Sequence, residues 1–345
     1  MRLRLIIIIS VVVLSVVAYL SFSGKSIASS QKKIPVNGVS LVSPPQKVSP
    51  SLFGGVEKTN ANWVALIPFG FSRKGQPNVS FDHERQWWGE RSDGTCELIK
   101  CSQDYDLKVL LKPHVWVMGQ GWPGEYDLTT EEDWQIWEQG YRQYILNHAR
   151  IADSMKVDMF CVGTEFRIAG VKREAFWRTL IRDVRQVYQG PLTYASNWDN
   201  YDKIQFWDEL DYIGIDAYFP VSENPAPSVT ELEAGWQPVK KQLEQFSKRA
   251  DRPILFTEYG YQSLTGTAGK HWEIDKGSDA INMQAQADAY QALYNVFWDE
   301  SWFAGGFLWK WHLRKNYGGP SNGAFTPQGK TAEVVIQSHF GSYLN

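Results

Sequence analysis

Cysteine is scarce in this chain, with three in 345 residues. Three thiols cannot supply the disulfide framework that an exported protein might otherwise use. Cys96 and Cys101 fall on an expected helix, where a separation of five residues sets their Cα atoms roughly 8–9 Å apart, too far for an undistorted bridge. Cys161 lies inside an apolar strand, and free, buried thiols are expected throughout. The P-loop is missing and no glycine-rich GxGxxG turn follows the first expected strand, which removes the usual marks of nucleotide binding. The six histidines are scattered, with neither HExxH nor a paired His-x-His, so no metal site and no other cofactor is expected. A formal net charge of -3 gives no electrostatic basis for a nucleic-acid partner. No nucleophilic Ser or Cys triad is visible, and Cys161 sits too deep in its strand to reach a substrate. There is no internal repeat.

What the chain has in excess is aromatic: 16 Trp, 16 Tyr and 17 Phe, recurring near the ends of apolar runs. Such rings suit the apolar faces of sugars as well as protein interiors. The first residues, MRLRLIIIISVVVLSVVAYLSFSG, place Arg2 and Arg4 before an uncharged run from Leu5 to Phe22 that borders on bilayer-spanning length. Residues 1–24 read as a signal peptide or a signal-anchor helix, and in both cases the rest is exported, to the periplasm, the medium or the outer face of a membrane. Residues 25–36 read as linker, and 37–345 as one catalytic domain; oligomeric state leaves no mark.

From Val36 onward, short apolar runs alternate with helical patterns. Strands are expected at 36–42, 62–70, 107–117, 157–166, 191–197, 211–219, 253–260 and 305–311. Helices are expected at 130–156, opened by the capping signature Thr130-Glu131-Glu132-Asp133, and at 172–188, 229–249, 281–301 and 327–338. Shorter helices are expected after the first and fifth strands. Eight strand-then-helix units define the fold class as α/β, a single (β/α)8 TIM barrel. A doubly wound open sheet would usually show the missing glycine-rich turn.

In such barrels the chemistry gathers at the carboxyl ends of the strands. The third strand ends in Lys112, His114 and Trp116, which a two-residue period places on one face. The fifth ends in Asn197 and Trp198, the sixth in Asp216 and Tyr218, and the eighth in Trp309 and Trp311. Two acids follow nearly unbroken apolar runs: Glu165 after the fourth strand and Glu258 in RPILFTEYGYQS after the seventh. A carboxylate there loses hydration, which costs several kcal/mol unless compensated. Glycoside hydrolysis uses such a pair, one acid protonated to donate to the leaving oxygen and one ionised to attack the anomeric carbon or activate water. An apolar strand end raises a carboxyl pKa and suits the donor; a phenol or a cation keeps the other ionised, and Tyr218 is the candidate beside Glu258. Lys112 and His114 fit a satisfied polar role or a hydrogen bond to substrate better than a metal site. Asp216 fits the polar layer beneath the site.

At these residues the chain resembles the glycoside hydrolases of the large retaining clan, and more narrowly family 113, whose characterised members are β-mannanases. The segments that carry the resemblance are NANWVALIPFGFS, LKVLLKPHVWV, FCVGTEF, DYIGIDAYFP, ILFTEYGY and FLWKWH, in that order and across nearly the whole chain after the linker. The resemblance implies Glu165 as acid/base, Glu258 as nucleophile, and a polysaccharide or oligosaccharide substrate of the β-1,4-mannan type. It also implies a Trp platform under the sugar, from Trp309 or Trp311, with core packing as the other reading of each. Many clan members place Asn before the acid/base to hold the sugar 2-hydroxyl; here that position is Thr164, and Asn197 and His114 are the candidates to replace it. Trp116, Trp122, Trp87 and Trp88 fall on loops over the mouth. Another β-linked glycan (glucan, xylan or glucomannan) and a non-catalytic carbohydrate-binding barrel stay open as alternatives.

Overall fold

Eight parallel strands follow one another around a closed ring in chain order, each hydrogen-bonded to the next and the last to the first. The computed structural model of the protein describes residues 34–273 and 281–344. In chain order the strands are β1 (Val36–Val42), β2 (Trp63–Leu66), β3 (Phe69–Arg73), β4 (Gln76–Ser80), β5 (Lys108–Leu111) and β6 (His114–Met118). They continue with β7 (Met159–Thr164), β8 (Leu192–Asn197), β9 (Tyr212–Asp216), β10 (Ile254–Tyr259) and β11 (Phe303–His312). The barrel is β1-β2-β5-β7-β8-β9-β10-β11, while β4-β3-β6 form a separate three-stranded sheet. The expected leader at 1–24 lies outside the described residues, as does the linker except for its end, where Val36 already opens β1. No helix among the described residues is long and apolar enough to cross a membrane.

The expected second and third strands are each two strands. The run 62–70 breaks at Ile67-Pro68 and the run 107–117 at Lys112-Pro113. Proline offers no N–H to a ladder, so the barrel pairing stops there and the chain restarts in the side sheet. There β3 and β6 pair in parallel, Phe69 opposite His114 and Phe71 opposite Trp116. His114 and Trp116 therefore stand on the side sheet rather than at the end of the third barrel strand.

The helix Glu131–Ser154 holds this sheet in place. Thr130 accepts the Asp133 N–H at 3.1 Å, satisfying one orphan donor, and three acids complement the positive end of the helix. Its buried face runs through Trp134, Trp137, Tyr141, Tyr144 and His148, at three- and four-residue spacing. The Tyr144 hydroxyl lies 2.8 Å from the Pro68 carbonyl and 3.0 Å from that of His114, clamping both exits from the barrel. The helix Val229–Ala250 starts with a capping box of Ser228 and Glu231. The expected helix at 172–188 is two, Arg167–Lys172 and Glu174–Val187, and the connection after β8 holds only the short 3-10 turns Tyr201–Lys203 and Trp207–Glu209. The remaining long helices are Ser92–Asp104, Met283–Phe297 and Thr331–Gly341. All three thiols are free; Cys101 and Cys161 are buried and Cys96 is partly exposed.

Inside the ring, Val36, Ala65, Leu110, Met159, Cys161, Ala195, Leu255, Ala304 and Phe307 form an apolar plug. The Phe307 ring is fully buried, worth roughly 1.5–3 kcal/mol of hydrophobic transfer. Gly38 makes room for it, since a Cβ there would lie 2.3 Å from the ring. The plug decides where polar groups go: two residues beyond Leu110 is Lys112, and two beyond Leu255 is Thr257, on the same inward face one layer nearer the mouth.

Candidate active site

Lys112 is the centre of that polar layer and is wholly buried. Its Nζ donates to Glu258 Oε1 at 2.5 Å and to the two oxygens of Asp216 at 3.0 and 3.3 Å. Thr257 donates to Asp216 Oδ1 at 2.7 Å. Burial alone would push the ammonium down, but Asp216 and Glu258 outweigh it and hold Lys112 above its ordinary value. Burial and the neighbouring Glu258 charge raise the Asp216 carboxyl to about 7, with Lys112 acting the other way. One cation thus serves two carboxyls. The arrangement is viable because each charge is hydrogen-bonded as well as paired.

Glu258 follows the inward-facing Thr257, and strict alternation would turn it outward. The β9–β10 register shifts between Phe256 and Glu258, bringing Glu258 opposite Asp216 and turning its carboxyl into the mouth. Its second oxygen, Oε2, accepts the Tyr218 hydroxyl at 2.7 Å. Both oxygens are therefore held, one by a cation and one by a phenol.

Glu165 reaches the mouth by a different local device. The β7–β8 register also shifts, between Cys161 and Thr164, and Glu165 itself takes a left-handed backbone at φ 54°. For a residue with a Cβ this conformation costs on the order of 1–2 kcal/mol. A bond from its N–H to the Ala195 carbonyl at 2.8 Å helps hold it. The carboxyl accepts the Trp122 indole N–H through Oε2 at 2.8 Å. Burial, with the negative charges of Asp216 and Glu258, raises its pKa well above the ordinary carboxylate value, against Lys112 and the indole.

Both glutamates line a cleft of about 800 Å³, together with His114, Trp116, Asn197, Tyr218 and Trp309. Trp311 does not join them, and the expectation of a second platform there is corrected. It is 3% exposed and packs outward, where a Cβ on Gly55 would touch its ring at 3.4 Å. The reason is the β1–β11 register, in which Val39 faces Leu308 but Leu41 faces Trp311. The extra residue on β11 flips the phase between Trp309 and Trp311. Trp122 belongs to the cleft, Trp87 to a neighbouring cavity, and Trp88 packs against the core.

Thr164 is fully buried and its hydroxyl faces the Pro113 carbonyl at 3.3 Å, so it offers nothing to a ligand. Asn197 uses its Oδ1 to accept the Trp198 N–H at 2.8 Å, leaving its amide N–H groups without a partner among the described residues. His114 has a buried Nδ1 without a hydrogen-bond partner among the described residues; burial, helped by the Lys112 charge, pushes its pKa down to about 4, so the ring is neutral at pH 7. No group of His, Cys, Asp and Glu able to hold a metal occurs among the described residues.

Several lining residues had no local signal in the sequence, Gln120 and Asp199 among them. Phe325 arrives from the loop after β11, Arg167 opens the short helix after β7, and Trp272 lies on the connection after β10. Lys112 stood in view as a strand-end polar residue; its bond to Glu258 did not, because it spans 146 positions.

A parallel (β/α)8 barrel whose mouth holds two glutamates with different hydrogen-bond partners, three strands apart around the ring, has the architecture of a glycoside hydrolase. The sequence model of Glycoside Hydrolase Family 113 matches residues 47–330, and the chain belongs to that family. Among solved structures it is similar to the GH113 β-mannanase AaManA of Alicyclobacillus acidocaldarius in complex with ManMIm, with a TM-score of 0.79 and 26% identity over 91% of this chain and 99% of that one. It is similar also to a complex of a GH113 β-1,4-mannanase, with a TM-score of 0.77 and 27% identity over 89% of this chain and 99% of that one. A β-glucuronidase of Ruminococcus gnavus shares the fold at 12% identity, with a TM-score of 0.59 over 89% of this chain and half of its own. No curated protein matches the chain.

Proposed function

We propose that the protein cleaves β-1,4-linked mannan-type chains internally, by double displacement with retention. The observation that carries this reading is the unequal treatment of the two glutamates. Glu258 has both oxygens held by Lys112 and Tyr218, which favours the ionised, oriented form of a nucleophile. Glu165 has a raised pKa, which favours the protonated form of a general acid.

In the first step a Glu258 oxygen bonds to the anomeric carbon as the glycosidic C–O bond breaks, and the Glu165 proton passes to the leaving oxygen. In the second, Glu165 takes a proton from water, whose oxygen bonds to the anomeric carbon and releases Glu258. Trp309 supplies the apolar face beneath the sugar. With Thr164 turned away, Asn197 and His114 are the groups available to the 2-hydroxyl. The mannanases among the similar structures support the choice of sugar, and the leader read in residues 1–24 supports export.

Proton NMR of mannan oligosaccharide hydrolysis should show the β-anomer of the new reducing end first; an initial α-anomer would sink the retaining mechanism. A panel of β-glycans assayed by reducing-end release should favour mannan over glucan and xylan. Glu165→Gln is expected to lower kcat on mannan by about 10²–10⁴, the range for loss of a general acid. An aryl mannoside whose leaving group needs no proton should lose far less in its first step. The variant should also lose the basic limb of the pH profile: activity in the wild type is present below the raised pKa of Glu165 and is lost as pH rises through it. A basic limb that persists in Glu165→Gln would assign the acid elsewhere.

A further inference from the structure

A second cavity, of about 840 Å³, opens beside the catalytic cleft and shares Phe69, Trp116 and Trp309 with it. Arg73, Arg85 and Gln86 are among its polar lining residues, and its one acid is Glu90, at the end of the 3-10 turn Trp88–Glu90. This turn is tied to the segment after β1 by bonds from the Trp88 N–H to the Pro45 carbonyl at 3.1 Å and from the Gly89 N–H to the Pro44 carbonyl at 2.9 Å. Glu90 is only 8% exposed yet lines the cavity, and among the described residues it forms no ion pair and no hydrogen bond with another side chain. Burial pushes its carboxyl up to about 7, opposed only by the Trp87 backbone N–H. The other buried acids near the mouth behave differently, since Asp216 and Glu258 share Lys112. A desolvated carboxyl without a counter-ion is costly unless a ligand or water hydrogen-bonds to it.

The walls suit a sugar chain. Trp87, half exposed, lies on this cavity, and Trp309 and Trp116 separate it from the cleft. Lys310 stands at the same wall, its Nζ 5.0 Å from the centre of the Trp309 ring, with no carboxylate partner among the described residues. Aromatic faces for C–H surfaces, a buried acceptor in Glu90 and cationic donors in Lys310, Arg73 and Arg85 are a complement to hydroxyl-rich rings.

We propose that this second cavity binds further sugar units of the chain being cleaved, and that Glu90 selects them by accepting hydrogen bonds from their hydroxyls. The proposal rests on the mannan-cleaving reading above. It is tested by kcat/KM on mannan oligosaccharides of two to six units and on an aryl β-mannoside, for the wild type, Glu90→Gln and Trp87→Ala. Thermal unfolding would confirm that each variant is folded; Trp87→Ala alters an exposed ring and serves if Glu90→Gln is unstable. The ratio of kcat/KM on the hexasaccharide to that on the aryl substrate is expected to fall about tenfold in either variant, equivalent to about 1.4 kcal/mol. An unchanged ratio overturns the proposal, as does a rise on Glu90→Gln, which would mark the cavity as a site for an acidic sugar. If the wild type cleaved no mannan oligosaccharide, the proposed function would fall on its own. The cavity would then be tested by calorimetric titration of Glu258→Ala protein with gluco- and xylo-oligosaccharides. Adding Glu90→Gln should weaken binding about tenfold, and equal affinity would overturn the site.

Discussion

Glu258→Ala is expected to lower kcat on mannan oligosaccharides by on the order of 10⁴ or more, the scale lost when a covalent nucleophile is removed. The protein should stay folded, because Asp216 remains bonded to Lys112 and the buried ammonium keeps a partner. Azide separates this loss from a general loss of the site. In the alanine variant the small anion can enter the vacated space and attack the anomeric carbon from the nucleophile's side, giving the α-glycosyl azide. In Glu165→Ala it should instead displace Glu258 from the covalent intermediate and give the β-azide. Wild-type rates in Glu258→Ala, or a β-azide from it, would remove Glu258 from the nucleophile's role.

The second large effect is expected from Lys112→Met, a change at a position with no exposure. Its loss leaves Asp216 and Glu258 buried together with no cation. Breaking a buried pair by removing one partner costs about 3–5 kcal/mol, which urea unfolding would read as a lower midpoint. Two carboxyls so close do not both ionise near neutrality, so the pair retains a proton and the attacking oxygen is blunted. The acidic limb of the kcat profile should therefore move to higher pH, in step with an Asp216 carboxyl already raised to about 7 in the native site. A stability loss with an unmoved acidic limb would make Lys112 a packing residue only. Lys112→Arg is not a conservative control, because a rigid guanidinium cannot occupy the space of a single ammonium between two acids.

The barrel and its two acids were legible because both write themselves locally. An apolar run of strand length that ends in Glu is a conspicuous pattern, and it recurs at Glu165 and Glu258. Thr130 and the acids after it announced the helix that packs the side sheet. What the chain could not display were features that depend on a partner strand. The phase slip that sends Trp309 to the mouth and Trp311 to the core is a property of β1 and β11 together. The splitting of two expected strands was written at Pro68 and Pro113, but the apolar pattern on either side reads as continuous. The link between Lys112 and Glu258 becomes visible only once the ring closes.

The side sheet has a kinetic consequence. Phe69, His114 and Trp116, which line the cleft, stand on strands that continue from the barrel and pair with each other, with Tyr144 bridging the two points of departure. A wall anchored at both roots has no hinge about which to swing. This side of the groove stands ready before a chain arrives, so its ordering cost was met during folding rather than on each encounter. Turnover should then owe nothing to the opening of this wall, and solvent viscosity should slow the departure of products without adding a gating delay from it.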